Sequence, residues 1–264
     1  MDLAGTPTIP GHIPSPGRTR GRCGEVRLIT PAEAAQPSFV AAWEALAAEA
    51  ADPNPFFEPW FTLPSLAQFG TQARCQLIAH YYGGRLSGLM PLAQPRRYYG
   101  HRVPHVAAWQ HDNAFCGAPL VMRGLECEFW QSTLAQLDRA PGNALFLHLP
   151  QLPADGILNR ALDTVLGQSD RPAVTVLDEE RAMLSSVSNP QDYLAQSMSA
   201  KKRKELRRQH KRLAEEGDLT FERVEGTQAI EVWIADFLAL EAAGWKGEAG
   251  SALASDPTTR AFFT

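Results

Sequence analysis

The stretch RCQLIAHYYGGRLSGLMPLAQPRR, Arg74 to Arg97, holds two apolar runs parted by Gly83 and Gly84. Adjacent glycines supply the positive φ angles that a two-residue turn requires, so the spacing predicts an antiparallel hairpin. Upstream, EVRLIT from Glu25 reads as a strand, and the next segment repeats Phe39, Val40, Trp43, Leu46 and Ala47 at helical spacing. DPNPFFEPW then breaks the chain with prolines and turns its aromatics inward, ahead of a short helical piece near Leu63 to Phe69.

Downstream of the hairpin, strands are expected at Val103 to Trp109, at ALFLHL (Ala144 to Leu149) and at AVTVL (Ala173 to Leu177). Helices near Leu125 to Leu137 and Ile157 to Leu166 alternate with them. Strands alternating with helices after a run of neighbouring strands predict an α/β (α+β) fold, with helices packed on a sheet rather than a bundle or sandwich.

A polar, Ser-rich passage around residues 180 to 190 sets an expected boundary, giving one half over 25–185 and a second over 186–264. Asn189 before Pro190 and Asp192 is a helix start: a cap, a proline at the first helical position and an acid at the positive end of the dipole. Ser199 offers a second cap, and Gly217 a stop. LTFERV (Leu219 to Val224) then reads as a strand and Thr227 to Ala243 as a helix ending at Gly244. Asp256 and Pro257 open one more helix, which reaches only about two turns before Thr264, so the second half reads as C-terminally truncated.

The start of that half holds the chain's charge anomaly, SAKKRKELRRQHKRLAEEG. Eight of the twelve residues from Lys201 to Arg212 are Lys or Arg, against Glu205 alone. Setting those nine aside reduces 25 basic and 29 acidic residues to 17 and 28, a net charge of −11, so the positive charge is local. Leu194, Met198, Leu206 and Leu213 form only a thin apolar stripe, and pairs such as Lys211 with Glu215 satisfy part of the charge. The rest suits a solvated face or an anionic ligand. Nucleic acid is disfavoured, because no aromatic interleaves the charges as stacking on a single strand requires.

On the following helix, Ile230, Trp233, Ile234 and Phe237 share a face with Glu241. Burial and the negative helix end would both raise a carboxyl pKa there, as a general base needs. GWKGEAGSAL follows, a glycine-rich connection that offers Trp245 and Lys246 to a ligand. In the first half His111 and Asp112 stand where a strand end could line a cleft, while the His and Cys spacings match no zinc pattern, so no metal is expected.

Composition bounds the remainder. The chain of 264 residues is 44% apolar, enough for a sizeable core. Residues 1–24, rich in Pro and Gly, read as a tail without the apolar core of a secretory signal. The four cysteines are dispersed, which fits a reducing cytoplasm. No run approaches the roughly 20 apolar residues of a membrane span.

The basic stretch followed by FLALEAAGWKGEAGSAL, with NPFFEPW and CGAPLV earlier, resembles the GNAT-superfamily acetyltransferases associated with cellulose biosynthesis, the CelD/BcsL-like group. The resemblance implies two GNAT-like halves in tandem, the second incomplete. It also implies transfer of an acetyl or acyl group from acetyl-CoA or another acyl-CoA to an amine or hydroxyl on a small-molecule or glycan acceptor, in polysaccharide biosynthesis. By position it makes Glu241, Trp245 and Lys246 candidates for the acceptor site, Glu241 and Lys246 being the catalytic ones, and Lys201, Arg203, Arg207 and Arg208 candidates for anion contacts. His111 and Asp112 are expected to bind substrate on the strand-end reading alone. The family's pyrophosphate turn has its nearest counterpart in Arg97-Tyr98-Tyr99-Gly100-His101-Arg102, which lacks the final small residue, so the coenzyme site is expected beyond Thr264. Two other readings are transfer from aminoacyl-tRNA, as in the peptidoglycan aminoacyltransferases, and a non-catalytic module docking on an anionic polymer.

Overall fold

The computed structural model describes residues 24–264 apart from Met183, Ser185, Val224, Thr227 and Gln228. The expected tail lies outside that range except for Gly24, whose N–H donates to Glu128 Oε1 at 2.7 Å. The chain forms two compact units that divide between Pro172 and Ala173.

The first unit is a mixed α/β layer structure. Its hairpin is β2 (Gln76–Tyr82) and β3 (Arg85–Ala93), turning at Gly83 and Gly84 with φ of 60° and 81°. β1 (Glu25–Ile29) pairs with β2, and α1 (Pro31–Ala34) and α2 (Pro37–Ala48) cross over to the hairpin. A 3₁₀ turn at Pro55–Phe57, then α3 (Pro59–Ser65), a π turn at Leu66–Gly70 and α4 (Thr71–Ala73) complete the crossover. β4 (Val106–Ala108) and β5 (Leu120–Val121) both join β3 antiparallel. After α5 (Glu126–Arg139), β6 (Leu147–His148) runs parallel to β4, and α6 (Ile157–Ser169) closes the unit. The sheet order is β1-β2-β3-β4-β6, with β5 beside β3.

Period-two alternation sends successive side chains to opposite faces, and with both faces covered the hairpin strands carry apolar residues on each. Leu77, Ala79 and Leu89 join Trp43 and Leu46 of α2 in one core, while Ile78 and Met90 join Phe129, Trp130, Leu158 and Val165 of α5 and α6 in the other. Both large indoles also satisfy their polar ends: Trp43 Nε1 donates to Phe57 O and Trp130 Nε1 to Leu158 O.

The predicted strands at residues 103–109 and 144–149 shrink to three and two residues. Pro104 and Pro150 lack the N–H that would extend the ladders. AVTVL forms no strand: Val174, Val176 and Leu177 are exposed and have no ladder partner among the described residues. Its alternation is real, but a strand needs a neighbour to satisfy its backbone.

The second unit carries α7 (Pro190–Ser197), α8 (Ala200–Glu215), α9 (Ile230–Ala243), α10 (Trp245–Glu248), a 3₁₀ turn at Leu253–Ser255 and α11 (Pro257–Phe263). The expected caps are in place. Asn189 accepts from Asp192 N–H, Ser199 from Lys202 N–H, and Asp256 from Thr258 and Thr259 N–H. The strand expected at LTFERV is coil over its described residues, with Leu219 and Phe221 exposed.

Asn54 ties together two irregular segments of the first unit, residues 49–54 and 109–119. Fully buried, it donates through Nδ2 to Cys116 O at 3.1 Å and Ala118 O at 2.7 Å, and accepts through Oδ1 from Phe56 N–H at 3.1 Å. Asn54→Leu leaves two carbonyls and one N–H without this partner, and is expected to lower stability by about 2–4 kcal/mol. Urea unfolding that shows a reduced midpoint at unchanged slope checks this.

Candidate functional site

In a sheet with a parallel pair, ligands collect beyond the carboxyl ends of the strands, where the chain departs in different directions. β4 and β6 are the parallel pair here; the chain leaves β4 toward β5 and leaves β6 toward α6. A cavity of about 410 Å³ lies there, lined by Ala107, Ala108, Trp109, His111 and Asp112 from β4 and its continuation, and by Pro150 and Gln151 after β6. The short side chains of Ala93 and Ala107, paired across β3 and β4, leave room for it.

His111 is held on every side. Its ring stacks on Phe69 at 4.6 Å and on Phe61 at 5.5 Å. Ser65 Oγ donates to Phe61 O at 2.7 Å, so the 2.9 Å bond between Ser65 Oγ and His111 Nε2 carries the imidazole's proton. Nδ1 then accepts from Asn113 N–H at 3.4 Å. Burial pushes the His111 pKa down, with Asp112 opposing the shift. The result is a neutral ring in one tautomer, suited to shaping the cavity wall. Asp112 is exposed beside it.

In the second unit Glu241 and Lys246 meet directly, Nζ to Oε1 at 2.6 Å, with the carboxylate side chain only 8% exposed. Its other oxygen accepts from Leu253 N–H at 2.8 Å. The Lys246 hydrogen bond first, and the Leu253 bond second, hold the Glu241 pKa below the ordinary carboxylate value. The sequence-based expectation of a raised pKa is therefore corrected. Burial and the helix end were weighed there, but the amine five residues on outweighs them. GWKGEAG is also more built than a plain connection, since it contains α10, and Gly247 rests against α9 so closely that a Cβ would stand 1.8 Å from Ala242 O. Trp245 is 72% exposed.

The basic residues divide by role. Arg203 Nη1 donates to Ala195 O at 2.9 Å and Met198 O at 2.5 Å, placing its charge on the carbonyl end of α7. Arg208 pairs with Glu205 at 2.7 Å and Lys211 with Glu215 at 4.0 Å. Lys201 and Arg207 face no carboxylate among the described residues. The structure thus brings Glu241, Trp245 and Lys246 into one segment and puts Lys201, Arg203, Arg207 and Arg208 on α8. His111 and Asp112 belong to the other unit.

Sequence reasoning missed Asn54 and Ser65. Asn54 precedes Pro55, the same signal that marks Asn189, and was legible; nothing local marks Ser65. Among the described residues no group of three or more His, Cys, Asp or Glu is placed to hold a metal, and no helix is long and apolar enough to cross a membrane.

Residues 200–264 match the model of the acetyltransferase (GNAT) domain family. The match covers about a quarter of the chain and lies wholly within the second unit. No curated protein sequence matches the chain. Similar solved structures include the ribosomal-protein-alanine N-acetyltransferase of Brucella melitensis biovar Abortus 2308, at 12% identity, covering 61% of this chain and 99% of that one, with a TM-score of 0.37. Two aminoglycoside acetyltransferases from an uncultured soil metagenomic sample are also similar. One, in complex with sisomicin, is 13% identical over 62% of this chain and 97% of its own, TM-score 0.38. The other is 15% identical over 62% and 99%, TM-score 0.34.

Two outcomes are expected. Gly247→Ala forces α10 off α9 and should cost about 1–3 kcal/mol, read as a lowered thermal midpoint. His80, His111 and His148 all have pKa values depressed mainly by burial from the ordinary 6.5, so each binds a proton more readily when unfolded. Stability is complete above about 6.5 and falls as pH drops below it, toward the folded-state values. His111→Gln should shallow that acid-side slope in unfolding measured from pH 8 to 5.

Proposed function

We propose that the protein is an acyl-CoA-dependent acyltransferase acting on an amine or hydroxyl acceptor. The observation that carries the reading is the GNAT domain match over residues 200–264, which contains the Glu241 to Leu253 segment. The cavity beyond β4 and β6 supports it, being a walled site of a size suited to a small ligand. In this reaction the acceptor's lone pair attacks the thioester carbonyl carbon, the C–S bond breaks, and the acceptor's proton ends on the departing coenzyme thiolate. Donors aimed at the developing oxyanion lower the barrier.

The site residues take their roles from geometry. Glu241, held ionised by Lys246 and by Leu253 N–H, is a weak proton acceptor and serves as a positioning residue that fixes the segment bearing Trp245. Trp245 offers an exposed aromatic face to the acceptor. His111 shapes its own cavity, and Lys201 and Arg207 are among the residues of α8 placed to meet an anion. An acceptor from the glycan class, and a tandem pair of GNAT-like halves, follow from the CelD/BcsL-like resemblance and complete the reading.

Release of free thiol from acetyl-CoA in the presence of a panel of amine and hydroxyl acceptors tests the activity; absence of both coenzyme binding and thiol release overturns it. Glu241→Gln then separates the roles. A positioning residue should raise the acceptor KM severalfold, with kcat changed by less than about threefold and its pH profile unmoved. A general base would lower kcat by roughly a hundredfold or more.

A further inference from the structure

A second and larger cavity, about 630 Å³, lies where β4 and β6 begin, and Pro95 lines it as well as the His111 cavity. Arg96, Arg97 and Arg102 line it together with His105 and Asn143, and no carboxylate is among its lining residues. Elsewhere in this unit three arginines meet acids, Arg27 facing Glu25, Arg85 Glu49 and Arg171 Asp138, while Arg123 and Arg139 donate to carbonyl or amide oxygens. Arg96 and Arg102 have no such partner among the described residues.

The scaffold beneath these guanidinium groups is fixed. Tyr98 and His101 exchange both backbone hydrogen bonds, at 2.8 and 2.9 Å, around Tyr99 and Gly100 with φ of 44° and 85°. Arg97 Nη1 closes this small hairpin on Gly100 O at 2.6 Å. Tyr98 then packs edge-on against His105, Phe146 and His148 at 5.0–5.2 Å, which seats the hairpin on the sheet. The Arg97 to Arg102 stretch is thus a hairpin tip that presents side chains, not a strand-to-helix turn that presents N–H groups.

Three exposed guanidinium forks line one concavity that no carboxylate lines, so the cavity offers an anion concentrated positive charge. Their planar donor pairs match phosphate oxygens, and a cavity of this volume suits a molecule of nucleotide size. We infer that this cavity is a binding site for a small diphosphate-bearing ligand, gripped by Arg96, Arg97 and Arg102. Pro95 lines both this cavity and the His111 cavity. The inference goes beyond the proposed acyl transfer and does not require it. The diphosphate could belong to an acceptor or to the coenzyme.

Calorimetric titration of the full chain with inorganic pyrophosphate, uridine diphosphate and coenzyme A tests this. Pyrophosphate and uridine diphosphate are expected to bind at low salt, with affinity falling as ionic strength rises. Arg96→Ala and Arg102→Ala should each weaken them about tenfold. Arg85→Ala, which breaks only a surface pair with Glu49, should leave binding unchanged, and unaltered thermal midpoints would show that the variants fold. If the cavity variants weaken coenzyme A in parallel, the diphosphate it takes is the coenzyme's; if coenzyme A is unaffected while uridine diphosphate is lost, it is an acceptor's. Absence of pyrophosphate binding at millimolar concentration, or equal binding by the Arg96→Ala/Arg102→Ala double variant, overturns the proposal. Thiol release from acetyl-CoA is unaffected by that outcome, so the two readings stand or fall separately.

Discussion

The carboxamide of Asn54 is the fixed point of the first unit. A buried polar side chain is tolerated only when its hydrogen bonds are made, and this one makes three, joining the chain before α3 to the chain that leads into β5. Both segments border the cavity region: one leads to Phe61, Ser65 and Phe69, which hold His111, and the other contains Ala114 and Phe115 of the wall. Without that tie the sheet could still form from its apolar hairpin, but the irregular chain over its end would lose its register. The cavity therefore depends on a contact that touches no ligand.

Charge is used in the two units for different ends. Arg203 and Lys246 are consumed locally, one by helix carbonyls and one by Glu241, and so stabilise the shapes that carry them. Arg96 and Arg102 are left without acids on a hairpin whose own bonds are complete. Counting basic residues along the sequence draws the eye to α8, where three of the eight cations, Arg203, Arg208 and Lys211, are spent on neighbours. The structure draws it instead to three arginines that a count overlooks.

That contrast explains what was legible in the sequence. Glycine pairs, Asn-Pro and Asp-Pro caps and helical periodicity are local signals, and they placed the β2–β3 hairpin, α2, α5, α6 and the starts of α7, α8 and α11 close to where they occur. Signals that need a partner failed. AVTVL and LTFERV have strand composition but no neighbouring strand, and the Glu241 pKa turned on the reach of Lys246, not on the helix that bears it. The His111 cage was hidden for a related reason: its members lie more than forty residues apart, and only the crossover from α3 to β2 and the ladder of β3 with β4 bring them together.

The tip at Gly83 and Gly84 has one further consequence. Nothing lies within 4 Å of where a Cβ would stand on either residue, and the turn faces away from the packed layers. Exposed turns of this kind are where a chain can be cut and rejoined, so the order of strands along the polypeptide is separable there from their order in the sheet. A chain cleaved at this tip keeps every paired residue of the sheet's ladders, and the cut falls within the first unit alone.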